Sequence, residues 1–386
     1  MAAIRPSPTS AVLKLASELS AAGRDIISLG AGEPDFDTPQ HIKDAALRAI
    51  RDGETKYTPV DGTASLKAAI QRKFADENEL QYQTSEIIVS SGAKQCLFNL
   101  CMALLGPGDE AIIPAPYWVS YPDMVRLAGA EPIIVDAGID QDFKITAQQL
   151  AASISESTRL FILNSPSNPT GSSYSKPELQ ALGAVLAAHP NVVIVADDIY
   201  EHIYWADQPF VSFAAACPDL FDRTVTTNGV SKAYAMTGWR IGYAAGPKAL
   251  ITAMHTIQSQ STSNPCSVSQ AAAEAALLGD QSAVREMTAA YKQRHDYVVP
   301  ALNEIDGIEC RPGEGTFYAF PRIIEAAKQR GLENDTQLVE LLLNEADIAC
   351  VPGSAFGASG YVRLSFACSM EMLEESINRI KRALAT

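Results

Sequence analysis

Hydrophobic positions along the chain fall into two kinds of run. Short continuous stretches rich in apolar and β-branched residues occupy 86–90, 110–114, 132–135, 159–163, 192–196, 224–227 and 241–245. Continuous rather than alternating apolar residues mark strands covered on both faces, as in a mostly parallel sheet. Longer stretches with helical spacing separate them, the first beginning after Pro8. Thr38-Pro39 predicts a capping hydroxyl ahead of a proline at the first helical position. Thr146 with Gln149 and Ser175 with Glu178 read as capping boxes. Strand and helix in alternation predict an α/β fold with right-handed crossovers.

The pattern changes near residue 283. A long polar helix carrying Arg285, Lys292 and Arg294 leads into shorter strands and helices, and 361–366 alternates like a half-exposed strand. The expected organisation is a large α/β domain over 34–285 and a smaller α+β domain over 286–386. The N-terminal segment, 1–33, joins the small one. A length of 386 residues suits two domains.

Composition narrows the function. Thirty basic against 45 acidic side chains give a net charge of −15, a field that disfavours nucleic acid and anionic membrane surfaces as partners. An anionic substrate then needs a local cationic pocket. Seven cysteines with scattered spacing and no Cys-x-x-Cys argue against a disulfide framework or a zinc cluster and fit a reducing cytoplasm. The first residues lack the apolar core of a signal peptide, and no run approaches the ~20 apolar residues that span a bilayer.

Four stretches carry the candidate chemistry: Ala31-Gly32-Glu33-Pro34-Asp35; Ser90-Ser91-Gly92-Ala93-Lys94; Asn164-Ser165-Pro166-Ser167-Asn168-Pro169-Thr170-Gly171; and Ser231-Lys232 with Gly238-Trp239-Arg240. None is a Walker A loop or a Gly-x-Gly-x-x-Gly fingerprint. Pro166 and Pro169 end the strand before them. Such a segment is either a surface turn or a ligand loop, since parallel α/β sheets bind ligands at the carboxyl ends of their strands. Asp197-Asp198, after another buried strand, is either a structural pair or part of the same site. Lys232, Ser231 and Arg240 in one tight segment suit an anionic group such as phosphate. Gly92, opening a helix, offers backbone N–H groups to the same anion.

Taken in order, these stretches resemble fold-type I, class I pyridoxal-phosphate aminotransferases, and among them the bacterial aspartate and aspartate/prephenate branch. Further matching segments are Tyr57-Thr58-Pro59, Pro116-Tyr117-Trp118, Ser261-Thr262-Ser263-Asn264-Pro265 and Val362-Arg363-Leu364. The resemblance runs from about Arg5 to the C-terminus. It implies the fold-type I architecture, a mostly parallel sheet sandwiched by helices plus a smaller α+β domain, with pyridoxal 5′-phosphate as cofactor and no metal. Lys232 resembles the Schiff-base lysine, and Asp197 the acid paired with the pyridine nitrogen. Asn168 and Tyr200 resemble the partners of the ring's phenolic oxygen, and Trp118 the aromatic stacked on the ring. Gly92, Ala93, Ser231 and Arg240 resemble the phosphate cup, with Lys94 beside them. Tyr57 resembles the tyrosine that reaches the neighbouring subunit's phosphate, which implies a homodimer with shared sites. Arg363 resembles the clamp for the substrate α-carboxylate, bordered by Gly32, Trp118 and Asn168.

Substrate choice is also implied. Lys94 resembles the lysine associated with a distal carboxylate, in place of a second arginine near 261–265. Arg5 and Thr9 match a segment associated with dicarboxylate and prephenate recognition. The expected activity is ping-pong transfer of the amino group of L-aspartate to 2-oxoglutarate, extending to prephenate. A kynurenine, alanine or aromatic aminotransferase of the same fold is the alternative. A transcription regulator on this fold would add a basic DNA-binding region, which the charge balance does not suggest.

Overall fold

A computed structural model describes residues 8–385. Helix α1 (Pro8–Ala21) leads to the short strand β1 (Ile27–Ser28), then α2 (Gln40–Arg51) and α3 (Ala64–Asn78). The next stretch runs β2 (Ile87–Ser90), α4 (Ala93–Leu104), β3 (Glu110–Ala115), α5 (Tyr121–Leu127), β4 (Glu131–Asp136) and α6 (Ala147–Ser153). It continues with β5 (Thr158–Asn164), α7 (Lys176–Ala187), β6 (Val193–Asp197), α8 (Phe213–Ala216), β7 (Thr224–Gly229) and β8 (Gly242–Ala245). Three helices follow: α9 (Lys248–Ser261), α10 (Ser267–Leu278) and α11 (Ser282–Asn303). The chain ends with β9 (Tyr318–Ala319), α12 (Ile324–Gln329), α13 (Asp335–Glu345), β10 (Ile348–Ala349), β11 (Val351–Pro352), β12 (Val362–Ser365) and α14 (Met370–Leu384).

All seven expected strands form within two residues of their expected bounds. They build one sheet in the order β2-β8-β7-β6-β5-β3-β4. Strands β3 to β7 run parallel, and β8 is antiparallel to both neighbours. Both faces are covered. Leu160 and Ile162 of β5 pack with α4 and α9, whereas Phe161 and Leu163 pack with α6 and α7. Each such side chain, fully buried, contributes ~1.5–3 kcal/mol, so both faces of the strand select apolar residues and alternation disappears. Edge strand β4 is the exception and exposes Glu131, Ile134 and Asp136.

Helices α11 to α14 close a second core with the antiparallel sheet β11-β12-β9. Ile27 and Leu29 join it, and β1 pairs with β10 in parallel. Two expectations are corrected here. Residues 361–366 do not form a half-exposed strand: all of β12 is buried. Val362 and Leu364 face the second core, and the alternate residue Arg363 faces an internal cavity rather than solvent. Thr38 is not a helix cap. Helix α2 starts at Gln40 after Pro39, with no side-chain cap. The Thr38 hydroxyl donates to the Ala235 carbonyl (2.6 Å) and accepts from Trp239 Nε1 (3.0 Å), tying the N-terminal stretch to the turn after Lys232.

The other helix signals hold. Gln149 Oε1 accepts from the Thr146 N–H, and Glu178 Oε2 from the Ser175 N–H. Helix α11 is less polar than its sequence suggests. Arg294 is buried and donates to both oxygens of Asp35 at 2.7 and 2.9 Å, stacked on Phe36 and Tyr291. All seven cysteines are free, and only Cys266 is exposed. Among the described residues no helix is long and apolar enough to cross a membrane.

Candidate active site

Strand register sets the site. Asn164 lies opposite Asp197, and Asp197 opposite Thr227, so β5 and β6 end level and β7 runs two residues further. Strand β4 lies on one side of β3 and β5 on the other. The loops after β3 and β5 therefore diverge and leave a crevice at the carboxyl ends of the strands. Asn164 Nδ2 donates to the Asp197 carbonyl, and Asn164 Oδ1 accepts from the Asn168 N–H, both at 2.8 Å. One side chain thus joins two strand ends and delivers Asn168 to the crevice.

The crevice opens into a cavity of about 370 Å³. Gly32, Ala93, Lys94, Trp118, Asn168, Asp197, Tyr200, Ser231, Lys232, Arg240 and Arg363 all line it. Gly92 caps α4 behind this lining, with φ 91°. A Cβ at Gly92 would push the Arg240 guanidinium aside, and the positive φ itself favours glycine. Tyr57 is not in the cavity: it is 92% exposed and borders a separate surface depression with Gly53 and Ser267. Arg5 lies outside the described residues, as does the side chain of Thr9.

The charges in the cavity are unusual. Lys94, Lys232, Arg240 and Arg363 make no ion pair among the described residues, and Asp197 and Glu33 are the acids that share the lining. The Lys232 amine donates to the Gly32 carbonyl. Burial, with the nearby Arg363 and Arg240 guanidiniums, lowers its pKa to about 8. Asp197 Oδ2 accepts from the Tyr121 hydroxyl at 2.6 Å, while its buried Oδ1 has no partner. Burial raises this carboxyl to about 6, against the pull of Tyr121 and Lys232.

Arg363 is 2% exposed. Its Nη1 donates to Asn168 Oδ1 (2.9 Å) and its Nη2 to the Gly30 carbonyl (2.8 Å), and its Nε is unpartnered. A guanidinium has five N–H donors, so three remain for a ligand. At the other end, the N-terminus of α4 meets Arg240, whose Nη1 is held by the Thr237 carbonyl at 2.7 Å. Lys94 is exposed at the mouth, its ammonium 4.8 Å from the Trp118 ring. Burial and Arg240 lower its pKa. The geometry offers an anion site at α4, an aromatic wall, a buried acid and a carboxylate fork.

The model of the family "Aminotransferase class I and II" matches residues 24–380. The chain belongs to that family. It is a transaminase. It is 57% identical to the aspartate/prephenate aminotransferase of Nitrosomonas europaea, over 99% of this chain and 98% of that protein. The aspartate/prephenate aminotransferase of Cereibacter sphaeroides is 53% identical, covering 99% and 96%. The crystal structure of the aspartate aminotransferase from Rhizobium meliloti superposes with a TM-score of 0.95 at 48% identity, covering 99% and 97%. That of Thermus thermophilus with maleate gives 0.93 at 41% identity, over the same shares. These neighbours share the expected fold, a mostly parallel sheet between helices.

Tyr121 and Tyr318 also line this cavity and escaped the sequence reading. Tyr121, three positions after Trp118, holds Asp197. Tyr318, on β9, bonds Tyr200 through their hydroxyls at 3.0 Å. Nothing in the local sequence distinguishes Tyr318 from a core aromatic. Behind the site a buried network braces the turns after β6 and β7. Glu201 is held by Lys73, Asn78 and Asn228. Burial pushes the Glu201 carboxyl up, but Lys73 and its other partners outweigh it, and the net shift is downward.

Proposed function

We propose that this transaminase is an aspartate aminotransferase. It transfers the amino group of L-aspartate to 2-oxoglutarate, giving oxaloacetate and L-glutamate, with pyridoxal 5′-phosphate as cofactor. Prephenate is proposed as a further acceptor. The observation that carries the reading is Arg363: a buried guanidinium with three free donors and no acid of its own, facing the cavity that holds Lys232 and Asp197.

The residues fit the cofactor. The unpartnered Asp197 Oδ1 suits a protonated pyridine nitrogen. The N-terminus of α4 at Gly92–Ala93, with Ser231 and Arg240, suits a phosphate. Trp118 offers a flat face, Tyr200 and Asn168 would donate to the ring oxygen, and Lys232 would hold the group covalently. When bound, the cofactor supplies an electron sink for negative charge at the substrate's Cα.

The chain's own residues do the rest. Arg363 grips the α-carboxylate in two parallel hydrogen bonds and orients the Cα–H bond. Lys232, uncharged in much of the population near pH 8, takes the Cα proton at Nζ. Lys94 attracts the distal carboxylate of a dicarboxylic amino acid. Trp118 shields one face of the site from water.

Tyr57, exposed and remote from its own cavity, is proposed to reach the site of a second copy in a homodimer. Arg5 and Thr9 are proposed to cover the substrate. Residues 34–285 are proposed as the cofactor-binding domain, and 286–386 with 1–33 as the smaller one. The β1–β10 pairing and the shared core of Ile27 and Leu29 support that division. Seven unbridged cysteines support a cytoplasmic setting. Initial rates with aspartate and 2-oxoglutarate varied together test the function. Parallel double-reciprocal lines and no turnover by Lys232→Ala are expected; intersecting lines, or turnover by that variant, refute it.

A further inference from the structure

We propose that Tyr318 is a positioning residue that couples occupancy of the Arg363 carboxylate clamp to the hydroxyl of Tyr200. The inference rests on the cavity being the transamination site.

Strand register brings the three residues together. Leu364 pairs with Ala319 and Ser365 with Tyr318. Tyr318 is therefore a diagonal neighbour of Arg363 on the same face of the small sheet. The Arg363 guanidinium carbon lies 4.4 Å from the Tyr318 ring centroid and 4.9 Å from that of Phe356. The Tyr318 hydroxyl is 3.0 Å from the Tyr200 hydroxyl, and both residues are almost fully buried. A Cβ on Gly32 would come within 3.1 Å of the Tyr318 oxygen. The glycine leaves the room the phenol uses.

Two phenols in contact share one hydrogen bond, and its direction matters. If Tyr318 donates, the Tyr200 proton is free for an acceptor in the cavity. A cation over the Tyr318 ring withdraws electron density and strengthens Tyr318 as the donor. With the clamp empty, Arg363 keeps its full charge and Tyr200 is set to donate to the cofactor's ring oxygen. A carboxylate on Arg363 offsets that charge. Tyr318 then donates less strongly, and the Tyr200 hydrogen bond weakens with it. Substrate binding at one end of the cavity thus alters the proton affinity of the group held at the other. No side chain needs to move.

The test uses the holoenzyme and succinate, a dicarboxylate without an amino group. The pH midpoint of the bound cofactor's absorbance change is measured with and without succinate. Wild type, Tyr318→Phe and Tyr318→Leu are compared. Loss of one phenol hydrogen bond should move the succinate-free midpoint of Tyr318→Phe up by about 0.5–1 pH unit. The succinate-induced shift should shrink to less than about half of wild type, while succinate affinity stays within about twofold because the ring still covers Arg363. Tyr318→Leu should lose the shift and also bind succinate several-fold more weakly. A full wild-type shift in Tyr318→Phe overturns the coupling alone. A more than tenfold loss of succinate affinity in that variant also overturns it, because the hydroxyl would then be holding the clamp itself. A wild-type protein with no bound pyridoxal phosphate overturns the underlying reading.

Discussion

Replacing Arg363 by lysine keeps the charge and removes the fork. The arginine spends one N–H on Asn168 and one on the Gly30 carbonyl, leaving three, two of which suffice for a carboxylate. A lysine has three donors on one atom and cannot reach Asn168, Gly30 and both carboxylate oxygens. At least one charge-assisted hydrogen bond to the substrate is lost, ~1.5–3 kcal/mol. That corresponds to a fall of roughly 10- to 150-fold in kcat/KM. The loss should be equal for aspartate and alanine, since both carry the α-carboxylate. Lys94→Ala makes the contrast. It should cost about 5- to 30-fold with aspartate, for an ion pair of ~1–2 kcal/mol at a partly desolvated mouth, and nothing with alanine. The assay is the single-turnover half-reaction followed by cofactor absorbance, with circular dichroism to check folding. An Arg363→Lys loss confined to aspartate, or smaller than about threefold, would refute the reasoning.

Other outcomes follow from the same geometry. Asp197→Asn should slow the half-reaction by ~10²–10³-fold. It should also stabilise the cofactor-free protein above pH 6. Its carboxyl titrates near 3.8 unfolded and about 6 folded, so stability falls as pH rises through that window, by up to ~3 kcal/mol. Thermal unfolding of the two proteins at pH 4 and 7.5 checks both the sign and the window. An amine-directed reagent should modify Lys232 of the cofactor-free protein with a midpoint near pH 8, because the amine loses its proton about two and a half pH units earlier than an ordinary lysine. Peptide mapping reads this out, and a midpoint near 10 would contradict it. Lys73→Met should cost ~3–5 kcal/mol in denaturant unfolding by leaving Glu201 buried without its cation. The depressed Glu201 carboxyl also means that this stability is present at neutral pH and is lost as pH falls through the acid range.

Much of the fold is written locally, because a strand buried on both faces must be apolar at every position. Strands β5 and β6 were legible for that reason. The same rule misled at 361–366, where alternation read as solvent exposure although the polar face meets the cavity. Thr38 looked like a cap because the dipeptide satisfies the cap pattern, but a tertiary acceptor, the Ala235 carbonyl, claims its hydroxyl. The cavity lining was readable wherever a loop after a strand combined Gly, Pro, Asn or a charge, as at Asn164–Asn168 and Ser231–Arg240. Tyr121 and Tyr318 were not, because their roles come from register and packing between distant segments. Tyr57 is exposed and lies outside its own cavity, so the role proposed for it comes from resemblance alone.

The most direct measurement adds aspartate, glutamate, alanine, kynurenine and phenylalanine separately to the purified protein loaded with pyridoxal phosphate, and follows the cofactor spectrum in each half-reaction. The aminated form is then mixed with 2-oxoglutarate, oxaloacetate or prephenate. Aspartate and glutamate should react far faster than the neutral and aromatic donors, and an oxo acid with a second carboxylate should restore the starting spectrum. A faster reaction with a neutral or aromatic donor would contradict the role of Lys94 and the substrate proposed here, while leaving the family unchanged.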